Sequence, residues 1–336
     1  MEVDIQNLAY QIIEYSFKLQ ASDIYVLPKA DKYQVSLRIH SVQRPLFCLL
    51  PSISQKLILY FKYQADMDVG EKRKAQLGSM TFSIADRKIR LRLSTVANYL
   101  NDESLVIRLL YSQTKDLKYY ANVDRQQLQK LINYKGLHLF CGPVGSGKTT
   151  LMYDLLRSLP KTRQIITIED PVEIEEEQFL QLQVQPKINL TYETLIKLCL
   201  RHRPDIVVLG EIRDTNTAKS AVRAALTGHT ILATMHADDE QAVKLRLQDL
   251  GALKLDIEQT LQSVTYQRIL PLQCGYCHGE CQPFCPHYQD NFCGFYLTTM
   301  KYQHNQKGWN DVLRQAFVKG LISEKIYQQE QKITPK

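Results

Sequence analysis

The spacing of apolar residues changes near residue 112, and the change divides the chain in two. Over residues 5 to 19, Ile5, Leu8, Ile12, Ile13 and Phe17 recur at helical spacing and make one apolar stripe. The segments DIYVLP, YQVSLRI, MTFSI, KIRLRLSTV and SLVIRLL then mostly alternate, the pattern of short strands in a half-exposed sheet. A second helix is predicted over 53–65. Residues 112–123 (SQTKDLKYYANV) lose periodicity and are predicted to link a domain of residues 1–111 to a second one, 124–336. There, after a helix at 124–133, come LHLF (137–140), QIITI (164–168), DIVVL (205–209) and TILATM (230–235). These strands are apolar and separated by helices, which predicts a mainly parallel sheet covered on both faces. The tail, 295–333, is predicted to be helical and polar. The predicted fold class is α/β, a small α/β domain followed by a parallel-sheet domain.

Composition narrows the function classes. With 44% apolar and 23% charged residues the chain has the composition of a globular protein, not a disordered one. Charge interrupts every apolar run well before the ~18 residues that span a bilayer. The start, MEVDIQNLAYQ, is acidic and lacks the features of a signal peptide, so neither a membrane-spanning nor a secreted protein is expected. A net charge of +7, without a block of basic residues, is weak support for a nucleic-acid or lipid partner.

Chemistry concentrates in the second domain. Gly142-Pro143-Val144-Gly145-Ser146-Gly147-Lys148-Thr149, followed by Thr150, fits G-x-x-x-x-G-K-[ST] between a strand ending at Cys141 and a helix beginning near Lys148. Glycines let backbone N–H groups wrap phosphates at the positive end of a helix. Lys148 is expected to reach the β/γ-phosphates and the Thr149 hydroxyl to ligate Mg²⁺. A carboxylate at a neighbouring strand end must organise the metal or the attacking water. Two exits qualify: Leu209 into Gly210-Glu211, and Ile168 into Glu169-Asp170-Pro171-Val172-Glu173. His229 and His236 flank TILATM; the edge of the sheet where ligands collect favours a role at the site over simple capping.

Together GPVGSGKTT, TIEDPVE, RPDIVVLGEIRD and TGHTILATMHADD resemble, in order and spacing, the four boxes of the type II/type IV secretion ATPases. Ala21-Ser22-Asp23-Ile24, Arg92-Leu93-Ser94 and the span from Glu103 to Arg108 resemble that family's first domain and arginine-bearing hairpin, although Asn101-Asp102 replaces the usual glycine. The resemblance implies a RecA-like second domain, ATP and Mg²⁺ as ligands, and phosphates held by Gly142 to Thr150. It implies Glu211 acting on Mg²⁺ and water, Glu169 as the other candidate base, and Asp170 and Glu173 in support. By the same resemblance His236 senses the γ-phosphate, His229 couples that edge to a neighbouring element, and Arg92 and Arg108, or Arg90 in reserve, reach the nucleotide. Val184 to Tyr192 and Ala224 to Gly228 look like assembly ATPases. The few residues before Ala21 suggest that the usual long N-terminal docking domain is absent, as in the ComG-type ATPases of Gram-positive competence. That resemblance implies a cytoplasmic homo-oligomer, a hexamer, peripherally bound to the membrane. It would drive a membrane platform protein to assemble a DNA-uptake pseudopilus from pseudopilins, with no direct sequence-specific nucleic-acid contact.

Eight cysteines are unevenly placed. Cys48, Cys141 and Cys199 lie singly in apolar segments and are expected in the core. Cys274, Cys277, Cys281 and Cys285 could supply four thiolates to a structural Zn²⁺, with Cys293, His278 and His287 as substitutes. A reduced, degenerate loop is the competing reading. Other functions compatible with the residues are a retraction motor, a RecA-like DNA translocase, and a nucleotide-binding scaffold without turnover. A translocase needs a basic, aromatic-lined channel, and the 19 tyrosines are scattered.

Overall fold

The computed structural model describes residues 3–39, 42–85, 87–111, 118–121, 125–277, 279–281, 285, 287, 292–300 and 308–333. They fall into two compact units, Met1–Gln113 and Thr114–Lys336. Among the described residues, no helix is long and apolar enough to cross a membrane.

The first unit runs α1 (Ile5–Lys18), β1 (Asp23–Lys29), β2 (Lys32–Ile39), β3 (Val42–Leu49), α2 (Pro51–Gln64), β4 (Gln76–Ile84), β5 (Arg87–Ala97) and β6 (Glu103–Leu110). The strands form one antiparallel sheet in the order β3-β2-β1-β6-β5-β4. Alternation along them buries Ile24, Val26, Leu37, Leu91, Leu93 and Ile107, while Ile12, Ile13, Leu57 and Phe61 are buried on the two helices. The period-2 pattern does not reveal β3, because it carries Pro45 beside an irregular register at Val35/Ser36. Proline is tolerated there because β3 is an edge strand. Edge placement also corrects one cysteine: Cys48 is exposed on β3, whereas Cys141 and Cys199 are buried as expected.

The second unit comprises β7 (Lys118–Ala121), α3 (Arg125–Leu131), β8 (Gly136–Cys141), α4 (Lys148–Arg157), β9 (Ile165–Glu169), β10 (Leu180–Gln183), α5 (Tyr192–Arg201), β11 (Ile206–Leu209), α6 (Thr215–Leu226), β12 (Thr230–Met235), α7 (Glu240–Asp249), α8 (Lys254–Thr260), β13 (Leu261–Pro271), β14 (Gln273–Cys274), β15 (Gly279–Glu280), β16 (Phe292–Met300), α9 (Trp309–Val318) and α10 (Glu324–Ile333). The large sheet has the order β10-β9-β11-β12-β8-β13-β16-β7, parallel except between β13 and β16. Leu151, Met152, Leu155 and Leu156 of α4 pack with Phe140, Val208 and Leu232 on one face. Residues of α5 to α10 pack on the other, so the sheet is buried on both sides.

Two expected boundaries shift. Residues 118–121, expected in the linker, form β7 beside β16; the rest of the expected linker lies outside the described residues. Residues 295–300, expected in a helical tail, continue β16, because Phe295, Tyr296 and Thr298 are buried against β13 and β7. Among the described residues of that tail, helix is confined to α9 and α10.

Candidate functional site

The loop from Gly142 to Gly147 joins β8 to α4, with Gly145 and Gly147 in the left-handed region (φ +77° and +81°). Those φ values turn the chain sharply into α4, so N–H groups of its first turn are presented together. Lys148 Nζ donates to the carbonyls of Gly142 (3.0 Å) and Pro143 (2.8 Å). Burial pushes this ammonium below the usual lysine range, opposed in order by Glu211, Cys141 and Glu173. The acidic charges that act on Lys148 are those of Glu211 and Glu173.

Strand order explains what stands around the loop. One strand, β12, separates β8 from β11, so the residue following β12, His236, lies between the loop and the exit of β11. Its Nδ1 faces Gly142 O (3.1 Å) and its Nε2 faces Glu211 Oε1 (3.3 Å). Glu211 Oε2 also accepts from Arg213 Nη2 (2.6 Å) and Nε (2.7 Å). Gly210, which stands where a P-loop ATPase usually has an acidic residue, has a packing reason. A Cβ there would lie 3.1 Å from Tyr192 Oη and 3.3 Å from Glu169 Cα.

Among the other expected residues, Glu169 is tied into a packed network and His229 stands at the opposite edge of the sheet. Glu169 is buried, and its Oε1 accepts from Tyr153 Oη (2.5 Å) and Thr167 Oγ1 (2.7 Å). Burial pushes its carboxyl above the ordinary glutamate range, against the effect of those donors. Gln181 Nε2 donates to the same Tyr153 hydroxyl (2.8 Å), so Glu169 belongs to a packed network. Asp170 follows it, with its charge acting on Tyr192 and Arg213. His229 precedes β12 at the far edge of the sheet from the loop: its carbonyl accepts from Gly136 N (3.1 Å) and its Nδ1 lies 3.0 Å from Thr227 Oγ1. The parallel register of β12 with β8 puts the two ends of β12 on opposite edges, which corrects the grouping of His229 with His236.

In the first unit Arg38, Asp23, Arg108 and Arg92 are successive register partners across β2, β1, β6 and β5. Asp23 is buried; it accepts from Arg108 Nε (2.8 Å) on Oδ1 and from Ser22 Oγ (2.8 Å) on Oδ2. Sequence reasoning missed this anchor, because only sheet register places Asp23 beside an arginine 85 residues away. The arginines occupy interior strands, not the edge of the sheet. At the β5–β6 turn, Asn98 Oδ1 accepts from the amides of Leu100 and Asp102, and Asn101 takes φ +67°. Asparagine tolerates that left-handed region, so it can replace glycine there.

Cys274, Cys277, Cys281 and Cys285 place their sulfurs within 4.8 Å of one another, Cys274 and Cys285 at 3.9 Å. Four thiolates on a tetrahedral Zn²⁺ at the usual bond length stand about 3.8 Å apart, so the set fits that ion. The Cys277 amide donates to Cys274 Sγ (3.5 Å) and draws that thiol down to about 7. Cys293 is not part of the set: it lies in β16 with Sγ donating to Lys118 O (3.1 Å). His287 packs against Tyr276, and His278 lies outside the described residues.

A phosphate loop leading into a helix, with a carboxylate two strands away and a strand-end histidine between them, defines a P-loop ATPase. Residues 2–329 match the family described as Type II/IV secretion system protein, and the chain belongs to this family of ATPases. It is 46% identical over 270 residues to "Competence protein ComGA" of Streptococcus pneumoniae, covering 79% of this chain and 85% of that one. Identity to the Bacillus subtilis "Competence protein ComGA" is 37% over 283 residues, covering 82% and 79%. The fold is similar to that of the Legionella pneumophila ATPase DotB (TM-score 0.74, 18% identity, 96% and 94% covered). It is also similar to that of the pilus retraction motor PilT with bound ADP (TM-score 0.69, 23% identity, 95% and 96% covered).

Proposed function

We propose that this ATPase powers assembly of a competence pseudopilus for DNA uptake. It works as a homo-oligomer, a hexamer, bound peripherally at the cytoplasmic face of the membrane to a polytopic platform protein that lifts pseudopilins. The observation that carries this reading is the similarity to the competence proteins, which spans most of both chains.

The site supports a division of labour among its carboxylates. Mg²⁺, when bound, would supply charge neutralisation to the phosphates. Thr149 and Glu211 are the residues that would hold it, and Glu211 is in contact with Arg213 and His236. Glu173, whose charge also acts on Lys148, takes the proton of the attacking water, a role the packed network around Glu169 makes unsuitable for that residue. Gly142 to Thr150 wrap the phosphates, His236 links the loop backbone to Glu211, and Arg92 and Arg108 reach nucleotide from the first domain, with Asp23 holding Arg108. The four clustered cysteines hold a structural Zn²⁺.

The test is complementation of a transformation-deficient null strain by wild type, Lys148→Ala and Glu211→Ala. Wild type is expected to restore DNA uptake and pseudopili; the variants should restore neither while keeping the circular dichroism spectrum of the folded wild type. Normal pseudopili with either variant would overturn the assembly reading. Full ATP turnover by a purified variant would overturn the site.

A further inference from the structure

On the face of β13 that lies towards α4, alternate positions carry three buried polar residues, Ser263, Thr265 and Gln267. Ser263 Oγ pairs with His138 Nδ1 at 2.8 Å, and Thr265 Oγ1 pairs with Thr298 Oγ1 at 3.0 Å. Gln267, fully buried, has a hydrogen-bond partner for neither its Oε1 nor its Nε2 among the described residues. An unpaired buried amide costs folding energy, which asks what it serves.

Its position answers. The backbone of β13 passes against the start of the phosphate loop: a Cβ on Gly142 would lie 2.3 Å from Gln267 O. The side chain lies against the end of that loop: a Cβ on Gly147 would lie 2.9 Å from Gln267 Nε2. Ser146, in the same loop, also has a buried hydroxyl without a partner among the described residues. Meanwhile Lys148 supplies protons to two carbonyls of the loop, Gly142 O and Pro143 O. A lysine that turns to the β/γ-phosphates leaves those carbonyls, and the loop must find other partners.

We propose that Gln267 is a positioning residue of the phosphate-binding loop: its buried amide, unpartnered against Gly147, pairs with the loop backbone when the loop holds a triphosphate, and so sets nucleotide affinity. Nε2 has two protons to give to loop carbonyls and Oε1 can take a loop N–H or the Ser146 hydroxyl. The inference rests on the reading of this loop as the nucleotide site.

The experiment compares the purified full chain with Gln267→Met and Gln267→Leu. It measures melting without nucleotide, binding of Mg²⁺–ATP, and the separate values of kcat and KM. Both variants remove the unpaired amide at similar size, so their melting midpoints without nucleotide should equal or exceed wild type. Their Kd and KM for ATP should rise about tenfold, the cost of one lost charge-free pairing, with kcat within about threefold, because loop and triphosphate stay together through the transition state. Unchanged Kd and KM in both variants would overturn the proposal, as would a fall in melting midpoint with unchanged affinity, which marks a purely structural amide. Lys148→Ala separates the two readings: if it binds ATP as wild type does, the loop itself is misassigned, and the proposal falls with it.

Discussion

Glu169 and Glu173 are four residues apart and equally acidic in sequence, yet one is buried against Tyr153 while the charge of the other acts on Lys148. The carboxyl of Glu169 is pushed up by burial, so the folded chain holds that proton more tightly than the unfolded chain. Its contribution to stability is present below the ordinary glutamate pKa and is lost as pH rises through the raised value. Glu169→Gln keeps an acceptor for Tyr153 and Thr167 and removes that loss. Its melting midpoint should exceed wild type by more at about pH 8 than at about pH 5, while turnover falls less than tenfold. Glu173→Gln should instead slow turnover by about a hundredfold or more, and, because the Glu173 charge helps to raise the Glu169 carboxyl, it should also lessen the stability lost as pH rises. Thermal melts at the two pH values and steady-state ATPase assays check both. Equal turnover losses would return Glu169 to the site.

Elements differ in how far their local sequence specifies them. α5, α6 and α7 are capped by Thr191, Asp214 and Asp239, whose side chains accept from Thr194 N, Thr217 N and Ala242 N. Two of those caps sit inside the motifs EIRD and HADD, so acidic residues there start helices next to the site. The segment holding the four clustered cysteines is different: β14 and β15 are two residues each, too short to hold themselves, and thiolate coordination would supply the ordering energy. Protein purified without chelators is expected to carry about one zinc per chain by elemental analysis. Cys277→Ser should lose it and speed hydrogen exchange over residues 272–281, with the Kd for ATP nearly unchanged. Well under half an equivalent of zinc would reject the site and leave a reduced loop.

At the scale of the molecule, the C-terminal helices hold the strand beside the phosphate loop. Trp309 of α9 packs edge-on against Tyr266 of β13 (centroids 4.9 Å apart), and Arg268 Nε pairs with Glu330 of α10 at 2.9 Å. These contacts bracket Gln267 on its own strand. Trp309 is buried in the core of the second unit, and Trp309→Ala should cost about 3–5 kcal/mol, a large part of the stability of a domain. Urea unfolding followed by circular dichroism measures it. A loss below about 1 kcal/mol would mean that the tail does not clamp the sheet.

What the sequence alone determined is whatever local spacing encodes. The change of period separated a half-exposed sheet from a parallel, buried one, and the fixed spacing of Gly142 to Thr149 marked the phosphate loop. Side chains of residues close in sequence, or carried on contiguous motifs, were legible in this way. Tertiary structure decided the pairings across long separations. Strand order placed His236 between Gly142 and Glu211 and left His229 at the opposite edge. Register set Asp23 beside Arg108, and an edge position left Cys48 exposed. Strands β7 and β16 needed each other and β13 to bury their aromatic residues, so neither could be read from its own few residues. Burial is a property of neighbours brought together by the fold; it separated Glu169 from Glu173 and left Gln267, among the described residues, unpaired against the loop.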